Sequence, residues 1–511
     1  MTPPLKTTVM MKKLILALLF SFIYLNIPAQ EWNIHYSGDY PEGCTHFHDG
    51  FIDEDGVTFL AGQTGPDTDT PETLFMRIEP DGSHSEYKYS KPGFHSRATC
   101  IIEMPDHNLF AAGNLYGETD DFVIVLILDK QLNLLEEKQY AKEVEGDSFG
   151  ICKATLDSHQ RIIVSTYLIQ ENAYQGFDYR GMFYKFDTHG NLISHRYLYE
   201  EYPHPVYFFF DFRLRQMWYK PDNETLLCLA PGYGNMLSFI TFDSAFNYIE
   251  EHEIWQDDID KSDHTLYRDC YTDYWYSEEE ALFFSSRGDA DHNKLRVSRV
   301  NTQGEILDFI RLNERTDTID DAAHTRCMAA ANDSIFYFSF YYHTWSYYPG
   351  TACVYMLNGH QEIIGRYVDD ELDCYRAHLI FATADGGCIT VNDSCNYFSV
   401  TSRTRPIIKK LSIEDFETIP LSISHDEQPL SAAGEAYPNP CDEIIYIPVP
   451  SDNHPNIRCQ VYDQLGHVVI DRLVQHGSML RLDVSRLRTG VYHYRIYTDK
   501  GTLLTEKFIK K

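Results

Sequence analysis

The sequence has little that marks a helix and nothing that marks a common enzyme. Sustained 3.6-residue periodicity and Ala/Leu/Glu/Lys-rich runs are scarce, which argues against helical bundles and coiled coils. Apart from Leu14 to Tyr24, no stretch is long and apolar enough to suggest a membrane span, and that one is too short for a good one. Basic side chains are few, 43 against 76 acidic ones, for a net charge of −33. Such a surface repels nucleic acid and anionic lipid, so neither is expected as a partner. No Ser-His-Asp set, Gly-x-Ser-x-Gly, His-Glu-x-x-His or phosphate-binding glycine loop stands in a usable context, so no motif demands catalysis.

What is present is aromatic and β-branched. Aromatic residues make up 14% of the chain, with 37 tyrosines, a bias that favours strands. At 511 residues and 43% hydrophobic content the chain can fill two or three cores. Residues 1–29 read as a signal peptide: Lys12-Lys13, the apolar run, then Ile27-Pro28-Ala29, with cleavage expected after Ala29 and no transmembrane span in the mature chain. Its removal takes away three lysines and no acids and moves the net charge from −33 to −36. All twelve cysteines fall in the exported part. Cys100, Cys152 and Cys327 precede a turn by five or six residues and read as small core side chains, whereas Cys388 and Cys395 are close enough in sequence to suggest a disulfide.

An internal repeat organises residues 30–420. Alternating apolar strands run into polar turns at Glu79, Asp129, Asp187, Asp243, Asn301 and Asn358, with a weaker copy at Ser412. The spacings are 50, 58, 56, 58, 57 and 54 residues. Each unit has room for four short antiparallel strands, such as Cys100–Met104, Leu109–Gly113, Phe122–Leu128 and Leu134–Tyr140 in the second. A single sheet of this kind exposes both faces, and seven packed around an axis bury them, so a seven-bladed β-propeller is expected. The units resemble bacterial β-propeller repeats in which Gly-x-(Ile/Leu)-(Tyr/Phe)-x-x-Gly precedes a strand ending Asp-x-x-Gly. Gly56 to Gly62 and Phe183 to Gly190 match well, and the fourth and sixth units poorly. That resemblance implies architecture, not activity. The N-terminal Trp32 to Ser37 reads as an outermost strand without a blade, expected to pair with residues 407–412 and close the ring.

Residues 421–435 read as a linker, and residues 436–511 as a small Ig-like β-sandwich, the last part of an all-β chain. The ordered segments Ala436-Tyr437-Pro438-Asn439-Pro440, Val461 to Gly466, Leu482 to Leu487, Thr489 to Ile496 and Lys507-Phe508-Ile509-Lys510-Lys511 carry a second resemblance. They are similar to the type A C-terminal sorting domain of the type IX (Por) secretion system of Bacteroidetes. The resemblance implies recognition by that secretion machinery through residues 436–511, and a passenger left on the cell surface or released. In this reading Gly466 and Gly490 serve turns.

Candidate ligand-binding residues come from loop placement. Hairpins between second and third strands emerge with the blade connections on one face, and here they hold Tyr174, Phe177, Tyr179, Tyr233, Tyr341, Tyr342, His343, Trp345, Tyr347 and Tyr348. Connections such as Tyr202 to Tyr207 and Asp257 to Asp260 join them, so the face is aromatic and acidic. Such rings stack on sugars or grip a peptide, or else pack the loops on one another. A glycan or protein ligand is the favoured partner, with a glycan hydrolase or lyase using paired carboxylates and a structural envelope component as alternatives. Asp289, Asp291 and Asn293 alternate as in calcium loops, and Asp67-Thr68-Asp69 is a shorter version, without the glycine or distal glutamate of an EF-hand. Calcium there, against a solvated hairpin loop, is the only cofactor suggested. His46 and His48 share a strand face as a metal pair would, but with no third ligand identifiable they read as polar turn or channel residues.

Overall fold

A computed structural model describes residues 31–36, 43–66, 70–118, 120–141, 148–171, 177–198, 216–220, 224–231, 237–254, 266–288, 293–312, 318–322, 326–332, 334–344, 351–359, 361–369, 375–396, 403–418, 439–442, 444–448, 457–463, 468–474, 479–498 and 501–511. The signal peptide and the linker read from the sequence lie outside these residues. The chain divides into two compact units, Met1–Ile419 and Pro420–Lys511.

In the larger unit the described strands pair into six sheets, the largest joining two antiparallel sets through the single parallel pair Cys44↔Thr404; divided there they make seven sets, each formed because short alternating segments end in Asp, Asn or Gly turns. Blade 1 comprises Cys44–Ile52, Thr58–Gly65, Glu72–Ile78 and His84–Tyr89; blade 2 comprises Phe94–Glu103, Leu109–Gly117, Asp121–Leu128 and Leu134–Ala141. In blade 3, Ser148–Phe149 and Lys153–Leu156 share the inner edge of Ile162–Glu171, followed by Phe177–Phe186 and Leu192–Tyr197. Blade 4 holds Gln216–Lys220, Thr225–Pro231, Leu237–Phe242 and Tyr248–Glu253, and blade 5 holds Leu266–Ser277, Glu280–Gly288, Asn293–Asn301 and Ile306–Arg311. In blade 6, Thr318–Ala322 and Met328–Asn332 line Ile335–Thr344, then come Thr351–Asn358 and Ile363–Asp369, with Glu417–Thr418 added outside. Blade 7 holds Tyr375–Ala382, Cys388–Asn396 and Arg403–Leu411, and its outer strand is the N-terminal Trp32–His35.

Apolar clusters fill each joint between neighbours and close the set into a ring. Phe59 and Phe75 meet Ile101 and Leu126 between blades 1 and 2. Phe110 and Val125 meet Phe149 and Phe186 in the next joint, and Phe183 meets Cys228 and Phe242 in the one after. Leu229 and Phe239 pack on Phe283 and Val300, and Leu295 and Val297 on Phe338 and Tyr355. Tyr337 and Met356 pack on Ile380, and Leu379, Val391 and Ile408 pack on Phe47 and Met76 of blade 1. Trp32 pairs with Lys410, Ile34 with Ile408 and His35 with Ile407, the strand exchange expected for ring closure.

The repeated turns explain the period seen in the sequence. The backbone N–H at 129, 187, 243, 301 and 358 bonds the carbonyl four residues on, and the side-chain oxygen of that Asp or Asn accepts backbone N–H groups within the same turn. Three residues into each of these turns the backbone enters the left-handed region, at Leu132 (φ 64), Gly190 (φ 74), Phe246 (φ 63), Gly304 (φ 81) and Gln361 (φ 62). Glycine adopts this conformation freely, whereas a side chain costs about 1 kcal/mol or more. Leu132 and Phe246 are almost fully buried, so apolar burial offsets that cost.

Nine cysteines, among them Cys100, Cys152 and Cys327, are buried thiols, in keeping with a core role. The suggested Cys388–Cys395 disulfide is corrected. Both residues lie in one extended strand, and Cys388 is a free buried thiol. Seven residues along a strand are about 23 Å, far beyond disulfide reach.

The C-terminal unit has two sheets. Ile444–Pro448 pairs with Met479–Asp483, and the second sheet runs in the order Val468–Val474, Ile457–Tyr462, Gly490–Thr498, Gly501–Lys510. Ile445, Ile447, Val461, Leu482, Tyr494 and Phe508 form their common core. The Asn439 Oδ1 accepts the Ile509 N–H at 2.9 Å, and Cys441 exchanges backbone bonds with Ile509 and Lys511. Asn439 is thus tied to the basic C-terminal strand. Gly490 opens a strand opposite Lys510 rather than serving a turn, and Gly466 lies outside the described residues.

Candidate functional site

Irregular inner strands shape the axis of the ring. Strand pairing skips one residue between Phe47 and Asp49, Ala98 and Cys100, and Ala377 and Leu379, leaving His48, Thr99 and His378 as bulged positions. Each stands five residues before the first residue of a turn, Asp53, Met104 or Thr383. A bulge frees backbone groups from the ladder and re-aims side chains. It also forces close approach from the second strand: a Cβ on Gly62 would lie 2.0 Å from the His46 carbonyl oxygen, and one on Gly113 1.9 Å from that of Arg97. The final glycine of the repeat motif is therefore the counterpart of the bulge in blades 1 and 2, whereas Asn392 stands opposite Ala377 in blade 7.

Bonds between neighbouring inner strands stitch the axis together. The Asp49 Oδ2 accepts the Ile101 N–H at 3.1 Å, and the Thr99 Oγ1 accepts the Cys152 N–H at 2.8 Å. Gln216 accepts the Thr272 N–H at 2.9 Å and donates to its carbonyl at 2.7 Å. Arg326 donates its N–H to the His378 carbonyl and accepts that of Ile380, both at 3.0 Å.

Within this frame lies a cavity of about 330 Å³ lined from the inner edges of blades 1 to 6, with Asp49, Glu103, Lys153, Trp218, Thr272 and Arg326 among its walls. Burial raises the Asp49 carboxyl above its ordinary range, opposed by Lys153, the Ile101 and Gly50 N–H groups and Arg326. The Arg326 guanidinium lies over the Phe381 ring, 5.0 Å from its centroid. Trp218 meets Trp275 edge to face at 5.3 Å. Two acidic residues, two basic ones and a tryptophan thus share the cavity walls, and the Glu103 carboxylate is held by His107 at 2.7 Å and Lys130 at 3.1 Å. Its residues stand where inner strands approach their first turns. The hairpins joining second and third strands close at the opposite strand ends, as the final pairs Glu171↔Phe177, Pro231↔Leu237 and Tyr342↔Thr351 show.

A second polar group lies between blades 1 and 7. The Asp393 Oδ2 lies 2.9 Å from the His378 Nε2 and touches the His46 Nδ1. Burial alone would raise this carboxyl, but His378 and His46 outweigh it and hold it far below the usual range. The His46 ring stands edge-on to His378 at 4.1 Å and to His48 at 4.6 Å. Burial pushes the His48 imidazole well below its ordinary pKa, His46 and Arg97 add to that, and Gln63 opposes it.

The loop residues named from the sequence are placed as follows. Tyr341 is half-buried in the second strand of blade 6 and packs on the cluster between blades 5 and 6. Phe177 and Tyr179 stand in the third strand of blade 3, opposite Glu171 and Ile169, and Tyr342 and His343 in blade 6, opposite Asp320 and Ile319. Tyr174, Tyr233, Trp345, Tyr347 and Tyr348 lie outside the described residues, as do Asp289 and Asp291; Asn293 opens a strand of blade 5 opposite Gly288. Sequence reasoning missed Lys153, Trp218, Arg326, His378 and Asp393. Aligning the units on their first turns, with the bulge five residues earlier, is the signal that would have found His378.

Comparisons with known proteins bear mainly on the smaller unit. No curated protein matches the chain. Among solved structures, the subtype N10 neuraminidase-like protein of A/little yellow-shouldered bat/Guatemala/060/2010 is 9% identical, covers 75% of this chain and 98% of its own, and superposes with a TM-score of 0.37. The β-propeller domain of the Trilobed protease from Pyrococcus furiosus is also 9% identical, with 74% and 99% covered and a TM-score of 0.35. The architecture here rests on the strand pairing itself. Among the described residues no helix is long and apolar enough to cross a membrane. Residues 435–511 match the family described as the secretion system C-terminal sorting domain, so this chain is a type IX secretion cargo whose β-propeller precedes its sorting domain.

Proposed function

We propose that the exported propeller is a cell-surface or secreted protein that binds a glycan in its axial cavity. The observation that carries this reading is the convergence of Asp49, Glu103, Lys153, Arg326 and Trp218 from separate blades on one cavity of about 330 Å³. That volume is at the small end of ligand pockets, of order 300 to 1,000 Å³, and suits a short saccharide. A carboxylate accepts from sugar hydroxyls, the two cations donate to them, and the indole offers an apolar wall. The net charge of −33 favours an uncharged ligand over a polyanion.

The test is a glycan panel screened by calorimetry against the full chain and against Lys153→Met and Asp49→Asn. A saccharide that binds, with affinity falling about tenfold or more in both variants while the melting temperature holds, supports the reading. Failure of the whole panel, or binding indifferent to both substitutions, sinks it. One observation favours a hydrolase as second reading: Asp49, its carboxyl raised by burial, shares the cavity with Glu103, the acid and base pairing that glycoside cleavage uses. Product release on the same panel, abolished by Asp49→Asn, would select it.

A further inference from the structure

His46, His378 and Asp393 each bring one ligand atom to a single point, all within 4.8 Å of one another. They come from the inner strand of blade 1 and the first two strands of blade 7, so the group straddles the seam where the ring closes. The His378 and Asp393 side chains are 5% and 1% exposed, and His46 keeps 20%, enough for entry of an ion. Both imidazoles place a ring nitrogen beside the same carboxylate oxygen. A tetrahedral ion with bonds near 2.1 Å needs ligand atoms about 3.4 Å apart, a spacing inside the present span.

We propose that His46, His378 and Asp393 form a site for a divalent transition metal of the zinc class, which fastens the first blade to the last. Two imidazoles and one carboxylate suit zinc, whereas calcium and magnesium take oxygen ligands almost throughout. The fourth position falls to water or to His48, whose ring is 4.6 Å from that of His46. The acidic chain, at −33, attracts the cation. Because His46 stands more than 300 residues before His378 and Asp393, a bound ion cross-links the two ends of the propeller and stabilises the ring by mass action.

The experiment strips the full chain with a chelator, titrates it with zinc chloride, and measures metal retained after desalting together with the melting temperature. One zinc per chain and a rise of several degrees are expected, with affinity about 100-fold weaker in His378→Gln and Asp393→Asn. The chain holds 22 histidines, so stoichiometry alone does not place the ion, and the variants decide. Cobalt(II) added to the stripped wild type gives a readout that needs no variant: intense visible bands report a tetrahedral nitrogen and oxygen site. The proposal is overturned if the wild type retains no zinc, if folded variants bind it as well as the wild type, or if cobalt gives only the weak spectrum of the hydrated ion.

Discussion

Removing residues 31–37 tests the closure of the ring. The deletion takes away the outer strand of blade 7, in which Ile34 is 9% exposed, while Tyr36 just beyond it is 6% exposed. It also removes four register pairs, the Tyr36 N–H bond to the Pro406 carbonyl at 3.1 Å, and the Trp32 Nε1 bond to the Pro80 carbonyl at 3.1 Å. Burial of Ile34 and Tyr36 and partial burial of Trp32 contribute about 5 kcal/mol. About five net hydrogen bonds add about 5 kcal/mol. Ordering five residues opposes them by about 7 kcal/mol. The deletion should therefore cost about 3 kcal/mol, and Ile34→Ala alone a similar amount through its cavity. It also uncovers the Arg403–Leu411 edge, so self-association should rise. Urea unfolding followed by tyrosine and tryptophan fluorescence reads the stability, and a synthetic peptide of residues 31–37 added in trans should restore part of it. An unchanged urea midpoint, with no gain in association, would refute the reasoning.

Gly113→Ala should cost about 3 kcal/mol or more, because its Cβ would sit 1.9 Å from the Arg97 carbonyl oxygen, while Gly93→Ala, with φ 81 and open space, should cost only about 1 kcal/mol of backbone strain. Paired urea curves check the difference, and equal losses would remove the bulge argument. The turn aspartates set an acid limit. Burial alone would raise Asp129, Asp187 and Asp243, but the Asn side chain and backbone N–H groups of each turn outweigh it and hold all three below their ordinary pKa. A depressed carboxyl contributes stability that is present above the unfolded value, near 3.9, and lost as pH falls through the folded one. The triple change to asparagine keeps the acceptors, so its stability should decline less steeply as pH falls below about 4; melting curves over that acid limb check this. Deleting Thr489 to Lys511 removes the last two strands of the sorting domain and should trap the protein in the periplasm, read by cell fractionation. Normal delivery of that truncation would contradict its role.

Much of the ring was legible because its signals are local. The Asp or Asn that opens each repeated turn recurs at an almost constant spacing, since one blade consumes a fixed length of chain. The left-handed residues were legible at Gly190 and Gly304 but hidden at Leu132, Phe246 and Gln361, where burial or turn geometry overrides residue preference. Blades 4 and 6 match the repeat motif poorly yet pair as the others do, because the joints require apolar volume rather than particular residues. The cavity was illegible for a different reason. Asp49, Lys153 and Arg326 are isolated charges in sequence, and only closure of the ring gathers them. His46 and His48 could be flagged from their spacing, but their neighbours His378 and Asp393 come from the far end of the same unit.

The most direct test of the glycan reading compares two pairs of variants on one saccharide that binds the wild type. Lys153→Met and Asp49→Asn alter the axial cavity, and Trp345→Ala and Tyr347→Ala alter the loop face named from the sequence. The account predicts that calorimetric affinity falls about tenfold or more in the first pair and stays near wild type in the second. Affinity lost only in the loop pair, with the cavity pair unaffected, would contradict it.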